Sequence, residues 1–157
     1  MTENSSQRRF VLRAALIIPL FFAATGAVRA QSGPFQFYSL PPCRVVDTRW
    51  ANSTTGGPSL GPNSTRSFPI RGNCGVPTTA KAAAINVTVA NPTAASYLTL
   101  WPSGTSRPTV STINFDSSDW AVANGAIVPL STGTNDLSIF NAAGTVNVIL
   151  DVTGYYQ

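Results

Sequence analysis

The sequence contains no histidine and few charged residues, and these two shortages restrict its chemistry. Asp, Glu, Lys and Arg make up 10% of the 157 residues, whereas soluble domains typically contain about 25%. Without histidine, catalysis by a Ser-His-Asp or Cys-His site is excluded. Histidine is also a principal zinc ligand, and the two cysteines lack the spacing of a zinc site. We therefore predict no metal site and no cofactor.

The N-terminal residues have the pattern of an export signal. Arg8, Arg9 and Arg13 form a basic start that precedes an apolar run over residues 14–28. The run is followed by a small-x-small cleavage site that ends at Ala30. The paired arginines, followed by apolar residues and a further base, also resemble a twin-arginine export motif. An ordinary secretory signal is the alternative.

Either signal type predicts the same organisation and location. Residues 1–30 are a signal peptide, residues 31–157 are a single mature domain, and the protein is secreted or at the cell surface without membrane attachment after cleavage. The full chain is formally +4, but loss of four arginines and one glutamate leaves six bases and five acids, about +1. These six bases are spread singly, whereas nucleic-acid binding needs a cluster of bases. Nucleic acid is therefore excluded as a partner.

Two cysteines, Cys43 and Cys74, remain in the mature domain. An even count of cysteines in an exported protein predicts a disulfide. The chain-entropy estimate for closing this loop is about 3.5 kcal/mol. A metal site built on both thiolates is the alternative, but no histidine is present to complete it.

Short alternating segments separated by turn residues predict an all-β domain. The clearest is at the C-terminus, where Val146, Val148, Leu150 and Val152 alternate with more polar residues until a break at Gly154. The predicted strands are residues 35–40, 44–49, 66–70, 82–90, 96–101, 110–115, 126–130, 137–140 and 146–153. About nine short strands without a helix favour an antiparallel two-sheet sandwich of the immunoglobulin-like or jelly-roll type, with a small barrel as the alternative.

Six motifs follow one another along the mature domain. They are PCRVVDTR (42–49), NCGVP (73–77), INVTV (85–89), YLTLWPSG (97–104), TINF (112–115) and LDVTGYY (150–156). In this order they resemble a largely uncharacterised β-rich module that occurs, singly or in tandem, in secreted proteins of soil bacteria. The resemblance implies an extracellular or cell-surface role and matches a cysteine pair that this family often carries. It implies no catalytic residues.

The mature domain has five carboxylates and no glutamate. They are Asp47, Asp116, Asp119, Asp136 and Asp151. Asp47 and Asp151 are the pair that a glycoside hydrolase would use. We favour a structural role, in which each pairs with Arg44 or Arg49 because a half-buried charge needs a partner. Asp116 and Asp119 lie in a turn, where aspartate usually bonds the backbone, and a calcium site there is the less favoured alternative.

Aromatic residues are the better candidates for ligand binding. Trp50, Trp101 and Trp120 lie at predicted strand ends or in loops. A sugar ring stacks on a flat aromatic side chain while polar groups meet its hydroxyls, and Trp120 lies close in sequence to Asp119 and Asn124. The alternative is that the tryptophans close the open ends of the core, which we favour for Trp101.

These observations predict a non-catalytic extracellular binding or structural module, with carbohydrate of a cell wall or matrix as the first ligand. A self-assembling or adhesive surface subunit is the second hypothesis, in which the edge strand at residues 35–40 pairs with a neighbouring copy or another surface protein. An aspartate-dependent glycoside hydrolase is the third.

Overall fold

The computed structural model describes residues 33–157, so the predicted signal peptide and its cleavage site lie outside the described residues. Within this range the chain is all-β, as predicted, and contains no helix. Its eight strands are β1 (Phe37–Asp47), β2 (Ser64–Phe68), β3 (Ala82–Ala90), β4 (Ser96–Pro102), β5 (Ile113–Phe115), β6 (Ala121–Pro129), β7 (Leu137–Asn141) and β8 (Asn147–Tyr156). This part of the chain accordingly offers no helix of the length and hydrophobicity that a membrane crossing requires.

The strands form two antiparallel sheets of four strands each. The first sheet has the order β1-β8-β3-β6 and the second has the order β2-β7-β4-β5. Both sheets bury side chains in one hydrophobic cluster, to which the first contributes Val87 and Leu150 and the second contributes Leu98 and Ile139. We call the face of each sheet that is turned away from this cluster its outer face.

The C-terminal strand lies between β1 and β3 in the first sheet, and its alternation is as predicted. Val148, Leu150 and Val152 are buried in the hydrophobic cluster. The predicted break at Gly154 is wrong, because β8 continues through it to Tyr156. A Cβ atom at Gly154 would overlap the Phe37 ring and lie 2.7 Å from the carbonyl oxygen of Tyr38. Glycine therefore lets β1 pack closely against β8, and it does not end the strand.

A single strand, β1, replaces the two strands predicted at residues 35–40 and 44–49. The described chain therefore has eight strands, whereas nine were expected. Pro41 and Pro42 lie in a shift of register between Ser39 and Cys43. Because β1 is at the edge of its sheet, the missing N–H groups of these prolines can be accommodated. The start of β1 is joined to the end of the chain by paired backbone hydrogen bonds between Gln36 and Gln157, at 2.9 and 3.1 Å.

Strand β6 begins at Ala121, five residues earlier than the sequence predicts. Its residues 121–125 are small or polar and have low strand propensity. They are nevertheless held in the sheet by continuous pairing with β3, from Ala90 opposite Ala121 to Ala82 opposite Pro129. Strand β5 is shorter than predicted and covers three residues.

The predicted disulfide between Cys43 and Cys74 is present, with the two Cα atoms 5.7 Å apart. It joins β1 to the loop between β2 and β3. A structural disulfide indicates an oxidising compartment outside the cytoplasm.

A buried carboxylate fixes the same loop near its start. Asp136 is 3% exposed and accepts hydrogen bonds from the backbone N–H groups of Ile70 and Arg71, both at 2.7 Å. It also forms a salt bridge with the Arg71 guanidinium, which in turn donates to the Ser131 carbonyl. No local sequence pattern singles out the pair of Arg71 and Asp136.

Candidate functional site

The arginines and aspartates singled out from the sequence form one cluster on the first sheet. Arg44 donates from Nε to Asp151 Oδ1 at 2.8 Å and from Nη1 to Asp47 Oδ2 at 3.3 Å. Arg49 donates to the two oxygens of Asp47 at 2.8 and 2.6 Å. The prediction that both carboxylates are paired with these arginines is confirmed.

The electrostatics of this cluster suit a structural role. Asp47 is 1% exposed. The hydrogen bonds from Arg49, supported by the charge of Arg44, hold the pKa of Asp47 below its ordinary value. A glycosidase acid needs the opposite, a raised pKa that keeps the proton available.

A shallow depression of about 510 Å³ lies beside this cluster, lined by Pro42, Arg44, Asn86, Asp151 and Thr153. Arg44 and Asp151, the charged groups in its lining, already satisfy each other through two hydrogen bonds. The depression has no aromatic side chain for stacking. It therefore offers little that would attract a ligand.

The three tryptophans differ sharply in exposure. Trp101 is 7% exposed, and its Nε1 donates to the Thr105 carbonyl at 3.0 Å. Trp50 is partly exposed, whereas Trp120, directly before β6, is 83% exposed. Trp101 is thus buried against the β4–β5 loop, and Trp120 presents most of its surface to solvent.

The polar residues that the sequence placed beside Trp120 have other contacts. Asp119 Oδ2 accepts a hydrogen bond from the backbone N–H of Asp116 at 2.7 Å, as expected for aspartates in a turn. Asn124 Nδ2 donates to the Thr112 carbonyl at 2.7 Å. Asp119 thus holds its own turn, Asn124 holds the segment between β4 and β5, and neither side chain hydrogen-bonds to Trp120.

A cleft of about 340 Å³ opens on the outer face of the second sheet, between β4, β5 and the loop that joins them. We call it the β4–β5 cleft. Its lining consists of Tyr97, Thr99, Arg107, Pro108, Thr109, Val110, Ser111 and Asn114. The lining thus combines an aromatic ring, hydroxyl and amide groups and one positive charge, without a carboxylate.

Strand alternation places the floor of this cleft. Leu98 and Leu100 point into the hydrophobic cluster, so Tyr97 and Thr99 project from the outer face. Asn114 lies opposite Tyr97 in the pairing of β4 with β5. The floor is therefore built on regular strands and not on a loop alone.

Hydrogen bonds to β4 hold the loop over this floor. The backbone N–H of Thr112 donates to the Leu98 carbonyl at 2.7 Å, and Thr99 Oγ1 donates to the Val110 carbonyl at 2.6 Å. The Thr112 hydroxyl accepts from the N–H of Leu100 at 3.0 Å. Together with the Trp101 bond to Thr105, these contacts fix both ends of the loop.

Arg107 reaches from this loop across the sheet. Its Cζ atom lies 3.5 Å from the ring centroid of Phe140 on β7, and the Tyr97 ring lies 6.1 Å from the same ring. Phe140 is 6% exposed. A guanidinium at this distance from a ring is attracted to it by a cation–π interaction. Among residues 33–157, Arg107 has no salt bridge and donates no side-chain hydrogen bond.

Sequence reasoning missed this cleft. In the sequence, Tyr97 stands out only as the first residue of the motif at 97–104, and Arg107 is one of the six bases spread singly along the mature domain. The alternation of Tyr97, Thr99 and Trp101 is the signal that could have indicated a shared outer face. The crossing of Arg107 to Phe140, 33 positions later in the printed sequence, had no local signal.

Within the described part of the chain, no three Cys, Asp, Glu or His side chains lie together in a way that could hold a metal ion. Comparison of the chain with protein-family models and with curated proteins finds no match.

Proposed function

We propose that the protein is a non-catalytic extracellular binding module and that the β4–β5 cleft binds a saccharide. The scaffold we infer is a β-sandwich, in which the two sheets pack face to face around the shared hydrophobic cluster. Export by the predicted signal peptide, and the resemblance to secreted modules of soil bacteria, agree with an extracellular role.

The observation that carries this proposal is the composition of the cleft. The exposed part of the Tyr97 ring offers a surface for the C–H groups of a sugar, and Thr109, Ser111 and Asn114 offer hydroxyl and amide groups for its hydroxyls. The volume of about 340 Å³ lies at the lower end of the range of about 300–1,000 Å³ typical of small-ligand sites. A short stretch of glycan fits these properties.

We do not assign a hydrolase activity to this cleft. Hydrolysis of a glycosidic bond by the common routes needs two carboxyl groups on either side of the bond, and the cleft is lined by none. Asp47 and Asp151, which the sequence suggested as a catalytic pair, are bound to arginines on the other sheet.

The test is binding of the purified, oxidised protein to a panel of cell-wall and matrix polysaccharides. We expect retention on at least one of them, and Tyr97→Ala should weaken that binding about tenfold or more because it removes the stacking surface. Trp120→Ala is the matched control, since it removes a more exposed aromatic side chain outside the cleft. Loss of binding in Trp120→Ala but not in Tyr97→Ala would assign the site to the tryptophan.

Self-assembly is the second candidate function, and the structure favours β6 for it over the segment at residues 35–40. That segment is paired with β8 and is followed by two prolines and a register shift, features that protect an edge strand. Strand β6 has nine residues, 121–129, and none of them is charged. Within residues 33–157, its backbone pairs with β3 alone.

An uncharged edge of this length, whose single proline is its last residue, Pro129, is a template for pairing with another strand. We expect the protein to form oligomers as its concentration rises. Ala123→Lys should reduce this association, because it adds a charge to the exposed side of β6 without burying it. Thr109→Lys, which adds the same charge at the β4–β5 cleft, is the control, and sedimentation velocity is the measurement. Equal association of all three proteins would rule out pairing through β6.

A further inference from the structure

We propose that the β4–β5 cleft prefers an acidic saccharide, and that Arg107 binds the carboxylate of a uronic acid residue. This inference rests on the proposed saccharide-binding function and adds the chemical class of its ligand. The observations that support it are the contacts of the arginines, the position of Arg107 over Phe140 and the absence of acidic groups from the lining of the cleft.

Arg107 differs from the other arginines of residues 33–157 in what its guanidinium contacts. Arg44, Arg49 and Arg71 each form a salt bridge with an aspartate. Arg66 donates to three backbone carbonyls, at 2.6, 2.8 and 2.9 Å. Arg107 has none of these partners within the described residues, so its charge and its hydrogen-bond donors remain available to a ligand.

The structure also holds this guanidinium in place before any ligand arrives. Its contact with the Phe140 ring limits where the side chain can lie, and the loop that carries it is bonded to β4 near Val110 and Thr112. Fixing a long, flexible side chain is a substantial cost of binding. Because part of that cost is met by the fold, Arg107 suits recognition better than an arginine that moves freely in solvent.

A carboxylate matches the groups that this site offers. The guanidinium presents paired N–H donors in a planar fork, which bonds both oxygens of a carboxylate at once. The side chains around it, Thr109, Ser111 and Asn114, are neutral and can bond the hydroxyls of the same sugar. The lining of the cleft contains no carboxylate that would repel the ligand. A sugar that carries both hydroxyls and a carboxylate, such as a uronic acid, uses all of these groups.

The test compares two forms of one polymer, polygalacturonate and its fully methyl-esterified form, which differ in the charge of the carboxyl group. We expect the protein to bind the acid form at least about tenfold more tightly, in the range of a charge-assisted hydrogen bond. Arg107→Gln should remove this difference, and Arg107→Lys should retain a part of it because an ammonium lacks the fork.

Lys81→Gln is the matched control, since it removes the same charge from an exposed residue before β3 and should leave the preference unchanged. Thermal unfolding of Arg107→Gln checks that uncovering Phe140 leaves the fold intact. If the protein binds both forms equally, or if Lys81→Gln loses the preference as fully as Arg107→Gln, the acidic-saccharide inference is overturned while saccharide binding stands. If no polysaccharide of the panel or of this pair binds, the proposed function itself fails.

Discussion

Replacing Asp136 with alanine should destabilise the fold more than replacing any exposed aspartate. The carboxylate is 3% exposed and satisfies two backbone N–H groups, those of Ile70 and Arg71. A buried donor left without a partner costs about 1–3 kcal/mol. The Arg71 guanidinium would also lose its anion in a largely buried position, and breaking a buried ion pair costs about 3–5 kcal/mol in total.

Because these contributions overlap, we expect Asp136→Ala to lower the free energy of unfolding by about 4 kcal/mol. Domains of this kind typically have about 5–15 kcal/mol of stability in all. Asp136→Asn should cost less, since its amide oxygen can still accept from both backbone N–H groups while the charge is lost. The difference in unfolding free energy between the two variants therefore separates the contribution of the hydrogen bonds to the backbone from that of the ion pair with Arg71.

The assay is equilibrium unfolding in urea, followed by tryptophan fluorescence on the oxidised protein. Asp119→Ala is the matched control, because this aspartate also accepts a backbone N–H but lies in an exposed turn. It should cost less than about 1 kcal/mol. If Asp136→Ala costs no more than Asp119→Ala, the reasoning from burial and satisfied donors is refuted.

Two further predictions concern stability. The folded pKa of Asp47 is lowered, chiefly by its hydrogen bonds to Arg49. The stability that Asp47 contributes is therefore full above the unfolded pKa of about 3.9 and is lost as the pH falls below it. Asp47→Asn should lose stability less steeply as the pH falls, and equal slopes of unfolding free energy against pH in the two proteins would contradict this. Gly154→Ala should destabilise by about 1–3 kcal/mol because its Cβ meets the Phe37 ring. Gly125→Ala is the control, because a Cβ atom at Gly125 would meet nothing within 4 Å, and it should leave the stability in urea almost unchanged. If both substitutions lower the free energy of unfolding equally, close packing at Gly154 is not the cause.

Much of the fold could be predicted because its central strands carry their own signals. In β8 and β3, apolar residues alternate with more polar ones, and this period belongs to strands alone. Strand β6 lacks that signal, since its start consists of small residues that become a strand by pairing with β3. In β1, the two prolines suggested an end, but an edge position and a register shift let the strand continue through them.

The candidate site was less predictable for a similar reason. The pairing of Arg44 and Arg49 with Asp47 could be foreseen because these residues are close in one motif. Arg71 and Asp136 are 65 positions apart and meet only through the fold. The contact between Arg107 and Phe140 depends on where the β4–β5 loop crosses the second sheet, and no local pattern encodes that crossing. Residue type suggested that aromatic side chains bind a ligand, but only the fold determines which aromatic rings face a cleft.

The backbone pairing of Gln36 with Gln157 has a mechanical consequence. A pulling force applied between these two residues acts at the open end of an antiparallel pair, so it breaks the hydrogen bonds between β1 and β8 one after another and not all at once. Peeling can proceed as far as Cys43, where the covalent link to Cys74 stops it. The released segment, residues 36–43, would extend by up to about 25 Å at roughly 3.5 Å per residue. Under tension the β1 side of the pair would therefore yield a short, fixed length of chain before the load reaches the disulfide.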